Sequence, residues 1–568
     1  MRIKIKTKDD IKALINRMTV EEKVGQTLVI GFVGTVLTPK ILERIEKIKP
    51  AGVRVCTTLR MKDAAADPYA YNQDRLDRVL RKPVDSIKDF AVGYNPPSAT
   101  NEEYCHMLNR MKKTAIASGA GIPIHITLDM EGDGSADYQI GRARYFPSCM
   151  GIAKSGEESL AYKVSKAVAK QVSDVGFNWI HSPVADVNSN PKNPEIGVRS
   201  FGETSESATP YLLESFKGLR DGGLICTGKH FPGRGPSAMD AHHSLPVIDA
   251  SKTEMDEHLK TFQALIDAGC PSIMTAHTAY PSLDPTGLPA TLSKAILTDL
   301  LKNQMGFKGA ITTDDITMGG IVEKYDVHEA CIMAINAGAD LILFRDESAL
   351  IDEVYPKLVD AVRTGIISEE RLNDAVRRTL NVKLEYSIFE TGGIKDENTC
   401  GDYINSLEIK QIAAEAADKT TYILRDRANI LPVAKDKKIL LLEQIHPLHE
   451  KTNTVECHPS LLWEMMLEKN PKVGSIECSL IYNDSDRARI ENRIDDYDVI
   501  VATNYYFRRD KNCSDYIKKL AKTCSKPLVV VSNCPYDFTL CDDMDTVVMC
   551  YGGSVECMKA VVKLILQE

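Results

Sequence analysis

Eight short runs of apolar, β-favouring residues recur through residues 1–385, and a helical pattern separates each run from the next. The first four are TLVIGF (27–32), AGVRVCT (51–57), PIHITLD (123–129) and FNWIHSPVAD (177–186). The second four are LICTGKHF (224–231), PSIMTAHT (271–278), GAITTDD (309–315) and ADLILFR (339–345). Strands that alternate with helices pair in parallel, and eight such units predict an α/β fold closed as a (β/α)8 TIM-like barrel. An open doubly wound sheet is the competing arrangement, and eight units favour closure. Before the first run, TVEEKVGQTL has the Thr19–Glu22 spacing of a capping box that opens a helix.

The ends of the runs say more than their number. Run three ends in Asp129, run four in Asp186, run five in Lys229–His230, run six in His277 and run seven in Asp314–Asp315. In a barrel the carboxyl ends of the strands share one rim, where catalytic groups sit. A lone aspartate at a strand end is commonly a turn residue or helix cap. Five polar ends on one rim point to a site. The loop after run five, GKHFPGRGPSAMDAHHSLP (228–246), adds Arg234, Asp240, His242 and His243 in a stretch too rich in Gly and Pro for a helix.

Residues 386–408 lose apolar periodicity and read as a linker. Residues 409–568 read as a C-terminal α/β domain, an open sheet with helices on both faces, from KILLLEQI, SIECSLIY, DVIVATNYY, PLVVVSNCPYD and TVVMCYGG. No glycine-rich nucleotide motif lies in it. The stretch 58–103 is long for a connection and follows the second strand, so it is expected to rise from the catalytic face as a functional or surface insertion.

Totals narrow the partners. A net charge of −9 argues against nucleic acid or an anionic membrane, which need a basic face. No run approaches the roughly 18 apolar residues of a membrane span. The amino-terminal MRIKIKTKDDIKAL has no apolar core of a secretory signal. The chain has fifteen cysteines, an odd count without a CxxC pair, which reads as reduced thiols in a cytoplasmic protein. No metal-ligand spacing stands out, no cofactor is implied, and nothing fixes an oligomeric state.

Seven motifs in order resemble glycoside hydrolase family 3, and more narrowly its β-N-acetylglucosaminidase branch. They are EEKVGQ (21–26), DVNSNPKNPEIGVRSFG (186–202), KHFPGRG (229–235) and DAH (240–242), then MTAHTAYP (274–281), LPATLS (288–293) and TTDDITM (312–318). The resemblance implies a retaining glycosidase acting on carbohydrate by double displacement. It implies Asp314 as nucleophile. Neighbouring strand residues point to opposite sides, so at most one of Asp314 and Asp315 faces the sugar. It implies His242 as acid, oriented by Asp240, with His243 as the near rival. Asp129, Arg199, Lys229 and His230 match the family's sugar contacts, although Arg199 and Lys229 also suit ion pairs with carboxylates at strand ends.

Two departures stand out. The run DMEGDGSAD (129–137) lacks the arginine that usually follows the aspartate, leaving Arg142 or Arg144 to replace it in space. Arg234 stands where KHFPGHG has its second histidine. The implied activity is exo-β-N-acetylglucosaminidase on cell-wall fragments or chito-oligosaccharides. A phosphorylase is the first alternative, because a histidine acid repels phosphate less than a carboxylate does and Arg234 adds positive charge. A β-glucosidase and a catalytically silent carbohydrate-binding protein are the others; Asp314, Asp240 and His242 standing together argue against the last.

Overall fold

The computed structural model describes residues 3–56, 99–133, 136–138, 143–446, 456–506, 515–536 and 544–567. Nearly all of the 58–103 insertion, together with Arg142, lies outside these residues.

Each of the eight runs contains a strand: β1 (Leu28–Val33), β2 (Gly52–Cys56), β3 (His125–Leu128), β4 (Trp179–Ile180), β5 (Ile225–Phe231), β6 (Ser272–Thr275), β7 (Ala310–Asp315) and β8 (Leu341–Leu343). They pair in parallel in chain order, and β1 meets β8 with Leu28 opposite Ile342, which closes the barrel. The runs are apolar throughout because both faces are covered. Leu28, Ile30 and Phe32 of β1 face the outer helices, in one core with Ile41, Ile45, Leu108 and Met111. Val29, between them, faces the lumen with Trp179, Ile225, Met274 and Leu341. Trp179 stacks at 4.3 Å on His125, and its indole N–H donates to Thr227 Oγ1 at 2.7 Å.

Helix Glu369–Glu385 runs past the end of the barrel opposite the site. The Lys383 ammonium is buried there and donates to the carbonyls of Ala51 and Pro123 at 2.7 and 2.8 Å. At the start of the fold, helix Val20–Gly25 opens on the expected box: Thr19 Oγ1 accepts from Glu22 N–H, and Glu22 Oε2 accepts from Thr19 N–H.

The second sheet holds β9 (Tyr422–Asp426), β10 (Ile439–Gln444), β11 (Val473–Cys478), β12 (Val499–Asn504), β13 (Leu528–Ser532) and β14 (Thr546–Met549), in the order β11-β10-β12-β13-β14-β9. Alternate residues divide between two cores, Ile439 and Leu441 on one face and Leu440 and Leu442 on the other, so helices cover both sides. Strand β9 adds an antiparallel edge that the sequence pattern did not mark. Its Ile423 and Leu424 are exposed, and as an edge strand it lacks the continuous apolar run of its neighbours.

The C-terminal domain packs on the rim formed by the carboxyl ends of the barrel strands. Tyr551 O accepts from Ser148 N–H, Tyr536 Oη accepts from the Asn188 amide at 2.7 Å, and Arg144 ion-pairs with Glu456. Arg144 therefore ties the barrel to the C-terminal domain through Glu456, a different role from the replacement of the missing arginine that the sequence left open.

The expectation of reduced thiols throughout is corrected at one pair. Cys105 on helix Asn101–Ala117 and Cys400 form a disulfide, with Cα atoms 6.6 Å apart. Their separation of 295 residues leaves no local spacing to read. Among the described residues, no helix is long and apolar enough to cross a membrane.

Candidate active site

The carboxyl ends of the strands bring two charged groups together at the rim. The first surrounds Asp314. Its Oδ2 receives Arg234 Nη1 at 3.3 Å and lies 3.8 Å from His230 Nε2, while its Oδ1 accepts the Asp315 N–H at 2.8 Å. Burial opposes ionisation of Asp314, but His230, His277 and Arg234 outweigh it and hold the carboxyl well below the usual range. Asp314 is thus a carboxylate at every physiological pH.

Asp315 turns the other way. It accepts from Thr317 Oγ1 at 2.8 Å and from the Thr317 N–H at 3.1 Å, and its carbonyl meets His277 Nε2 at 2.9 Å. The β7–β8 register shifts between Thr312 and Asp315, which ends regular pairing where the two aspartates diverge.

His230 is fixed from behind. Asp186, at the end of the β4 segment, takes His230 Nδ1 at 2.7 Å and also accepts the His230 and Arg234 backbone N–H groups. One buried aspartate therefore sets two cationic or polar side chains that face Asp314.

The second group holds the remaining expected binding residues. Lys229 Nζ lies 2.7 Å from Asp129 Oδ1 and also pairs with Glu131. Arg199 grips Glu131 through two nitrogens, Nε at 2.6 Å and Nη2 at 3.0 Å, and donates to the Glu195 carbonyl at 3.0 Å. Arg54, in the lumen, joins Asp129 at 2.9 Å and pairs with Asp137. Burial disfavours the Glu131 carboxylate, yet Arg199 and Lys229 lower its pKa to about 2. Lys229 and Arg199 are thus ion-paired, as their residue types allowed; the partner of Arg199 is Glu131, just beyond the strand end.

Asp240 and His242 meet in the loop after β5. Asp240 Oδ1 accepts the His242 backbone N–H at 2.8 Å and lies 2.6 Å from His242 Nδ1. This is an Asx-type turn, which brings two side chains together across two residues without a helix. His243 is tied differently, its N–H donating to the Asp240 carbonyl at 3.2 Å. The loop seats on the turn after β7: Gly320 N–H donates to Ala241 O at 2.9 Å and Gly319 N–H to His242 O at 3.2 Å. A Cβ on Gly319 would stand 2.5–2.6 Å from the His242 and His243 carbonyl oxygens, so glycine permits the approach.

Glu131, Glu195 and Arg54 are site residues the sequence did not single out. Glu131 and Glu195 lie inside motifs already noted, but nothing local marks either as a partner of a distant cation. Among the described residues, Glu195, Asp240 and His242 place one metal-capable atom each within 4.8 Å of one another. Arg234 shares that space through Glu195, so a cation there would face a buried guanidinium.

The chain matches the family model of the glycosyl hydrolase family 3 N-terminal domain over residues 19–382, the span that holds the barrel and this rim. The chain belongs to glycosyl hydrolase family 3. Among family relatives it is 30% identical over 380 residues to a β-hexosaminidase A of Pseudoalteromonas piscicida, covering 62% of this chain and 63% of the relative. It is 26% identical over 334 residues to a β-N-acetylglucosaminidase/β-glucosidase of Cellulomonas fimi, covering 57% and 58%. The chain thus spans about three fifths of the length of these relatives. A family 3 β-N-acetylglucosaminidase structure from Paenibacillus sp. superposes with a TM-score of 0.82 at 25% identity, covering 97% of each chain.

Proposed function

We propose that this family 3 protein is a retaining exo-β-N-acetylglucosaminidase that removes terminal β-linked N-acetylglucosamine from cell-wall fragments or chito-oligosaccharides. The observation that carries the reading is the Asp240–His242 dyad seated against the turn that follows Asp314. A buried, ionised Asp314 suits a nucleophile, and an imidazole oriented by a carboxylate suits a proton carrier.

In the first step an Asp314 oxygen bonds to the anomeric carbon as the glycosidic C–O bond breaks. The departing oxygen takes a proton from His242. In the second step neutral His242 accepts a proton from water, the water oxygen bonds to the anomeric carbon, and the Asp314 carboxylate is released. With Nδ1 held by Asp240, Nε2 is the nitrogen that carries the proton in both steps. Asp129, Lys229, Arg199 and His230 present charged donors and acceptors to sugar hydroxyls or the N-acetyl group, where such bonds are strong. Phosphorolysis is the weaker reading because the Arg234 charge is already paired with Glu195 and Asp314.

The test is a leaving-group series on β-N-acetylglucosaminides and β-glucosides, run with and without phosphate. General acid catalysis contributes typically about 10²–10⁴-fold. His242→Ala is expected to lose roughly that much kcat/KM on a disaccharide and far less on a dinitrophenyl glycoside, which leaves with little help. Asp240→Ala is expected to repeat the pattern more mildly. A uniform drop across leaving groups removes His242 from the acid role, and sugar 1-phosphate as the product replaces hydrolysis by phosphorolysis.

A further inference from the structure

Asp240 fixes the His242 imidazole relative to its own loop, but both residues belong to that loop. Its position relative to Asp314 depends on what ties the loop to the barrel. One tie is the pair of backbone bonds to Gly319 and Gly320. Asn193 holds the start of the loop, its amide donating to the Arg234 and Gly235 carbonyls at 2.8 and 2.9 Å. The tie that reaches the dyad itself from the β4 side is Glu195, from the segment after β4, whose side chain is 2% exposed. Glu195 Oε2 accepts the Ala241 N–H at 3.4 Å, and Glu195 Oε1 lies 3.5 Å from His242 Nδ1. The same carboxylate pairs with Arg234, whose other arm reaches Asp314 at 3.3 Å. Glu195 is itself held, its N–H donating to Asn193 Oδ1 at 2.8 Å.

We propose that Glu195 is a positioning residue for the general acid: held by Arg234, it registers the acid-bearing loop against the nucleophile and favours the protonated imidazole. The inference rests on the proposed function and deepens it.

Two physical effects support it. Arg234 replaces a residue that can be neutral with one that cannot, and a buried guanidinium requires a counter-charge. When Asp314 becomes an ester it loses its charge, and Glu195 then remains as the carboxylate paired with Arg234. Without Glu195, a proton returning to His242 in the second step would meet a guanidinium balanced only by the weaker pull of Asp186 and Asp240. The charged and titratable groups around His242 are Asp240 and His243 on its own loop, Arg234 earlier in the same segment, Glu195 from the β4 side, and Asp314 from β7.

Glu195→Gln keeps the shape and removes the charge. In the full chain it is expected to lose about 10- to 100-fold in kcat/KM on an alcohol leaving group, a part of the acid's typical contribution, and much less on dinitrophenyl. Losing a carboxylate beside the imidazole lowers the pH at which His242 gives up its proton. The first step needs protonated His242, so the alkaline limb of kcat/KM is expected to move down by about 1 unit or more. A uniform loss with an unmoved limb, the result of a purely structural role, overturns the proposal. If Glu195→Gln lowers the unfolding temperature, the paired variant Glu195→Gln/Arg234→Gln removes both charges and decides by its dependence on leaving group. A flat dependence there also overturns the proposal. His242→Ala runs alongside: a flat response in that variant sinks the acid assignment itself, whereas a steep response there with a flat one for Glu195→Gln sinks only this inference.

Discussion

Glu131 lies between two cations in a site almost closed to water, so its removal offers a quantitative test of the charge network. Its side chain is 2% exposed, Arg199 holds both of its oxygens, and Lys229 pairs with it at 3% exposure. Its pKa falls from 4.5 to about 2, with burial opposing and Arg199 and Lys229 prevailing. One pKa unit is about 1.4 kcal/mol, so the network is worth about 3 kcal/mol at pH 7. A second route agrees: removing one partner of a buried ion pair costs about 3–5 kcal/mol, because the other charge is left uncompensated. Glu131→Gln is therefore expected to lose about 3 kcal/mol at pH 7.

The pH dependence gives the sharper check. The folded pKa is depressed, so the contribution is fully present above pH 4.5 and disappears as pH falls through about 2. At pH 3 linkage leaves about 1 kcal/mol between the wild type and Glu131→Gln. Urea unfolding read by tryptophan fluorescence can measure this, since buried Trp179 in the lumen is one of only two tryptophans. A gap below about 1 kcal/mol at pH 7, or one that stays constant down to pH 3, would refute the reasoning.

Two further perturbations separate the roles of neighbouring groups. Asp314→Asn is expected to lower kcat by about 10⁴-fold or more for every leaving group while the unfolding midpoint stays close to wild type, because the amide keeps the shape but is a poor nucleophile. Near wild-type turnover, with deamidated protein excluded by mass spectrometry, would move the nucleophile elsewhere. Gly319→Ala is expected to displace the acid loop, since the new Cβ would meet the His242 and His243 carbonyls at 2.5–2.6 Å. It should weaken cleavage of poor leaving groups by about 10-fold or more and spare dinitrophenyl glycosides, as a shifted acid would; equal losses would show that the loop is not registered there.

The barrel was legible because its signal is local. Each strand is a run of apolar residues buried on both faces, and the parallel order follows from the helices between them. Strand β9 was missed because an edge strand with exposed Ile423 and Leu424 has no such run. The Cys105–Cys400 pair was missed for another reason, since residues 295 apart meet only when helix Asn101–Ala117 packs near the segment after the barrel.

The same division runs through the site. Asp314, Lys229, His230, Asp240 and His242 sit in compact motifs at strand ends or in the loop after β5, where position in the fold gives them meaning. Asp240 and His242 pair within one motif, but other charge partners lie far apart in the chain: Arg234 finds Glu195 at a separation of 39 residues and Asp314 at 80, and Arg199 finds Glu131 at 68. One inference was nevertheless open to the sequence. A histidine can be buried neutral, whereas an arginine carries its charge into the interior and must find a carboxylate. Reading Arg234 as a histidine replacement therefore implied a compensating acid somewhere on the rim. Under the proposed double displacement Asp314 alone cannot serve, because its charge vanishes when it becomes the ester; a second carboxylate that keeps its charge is needed, and Glu195 is paired with Arg234 in that place.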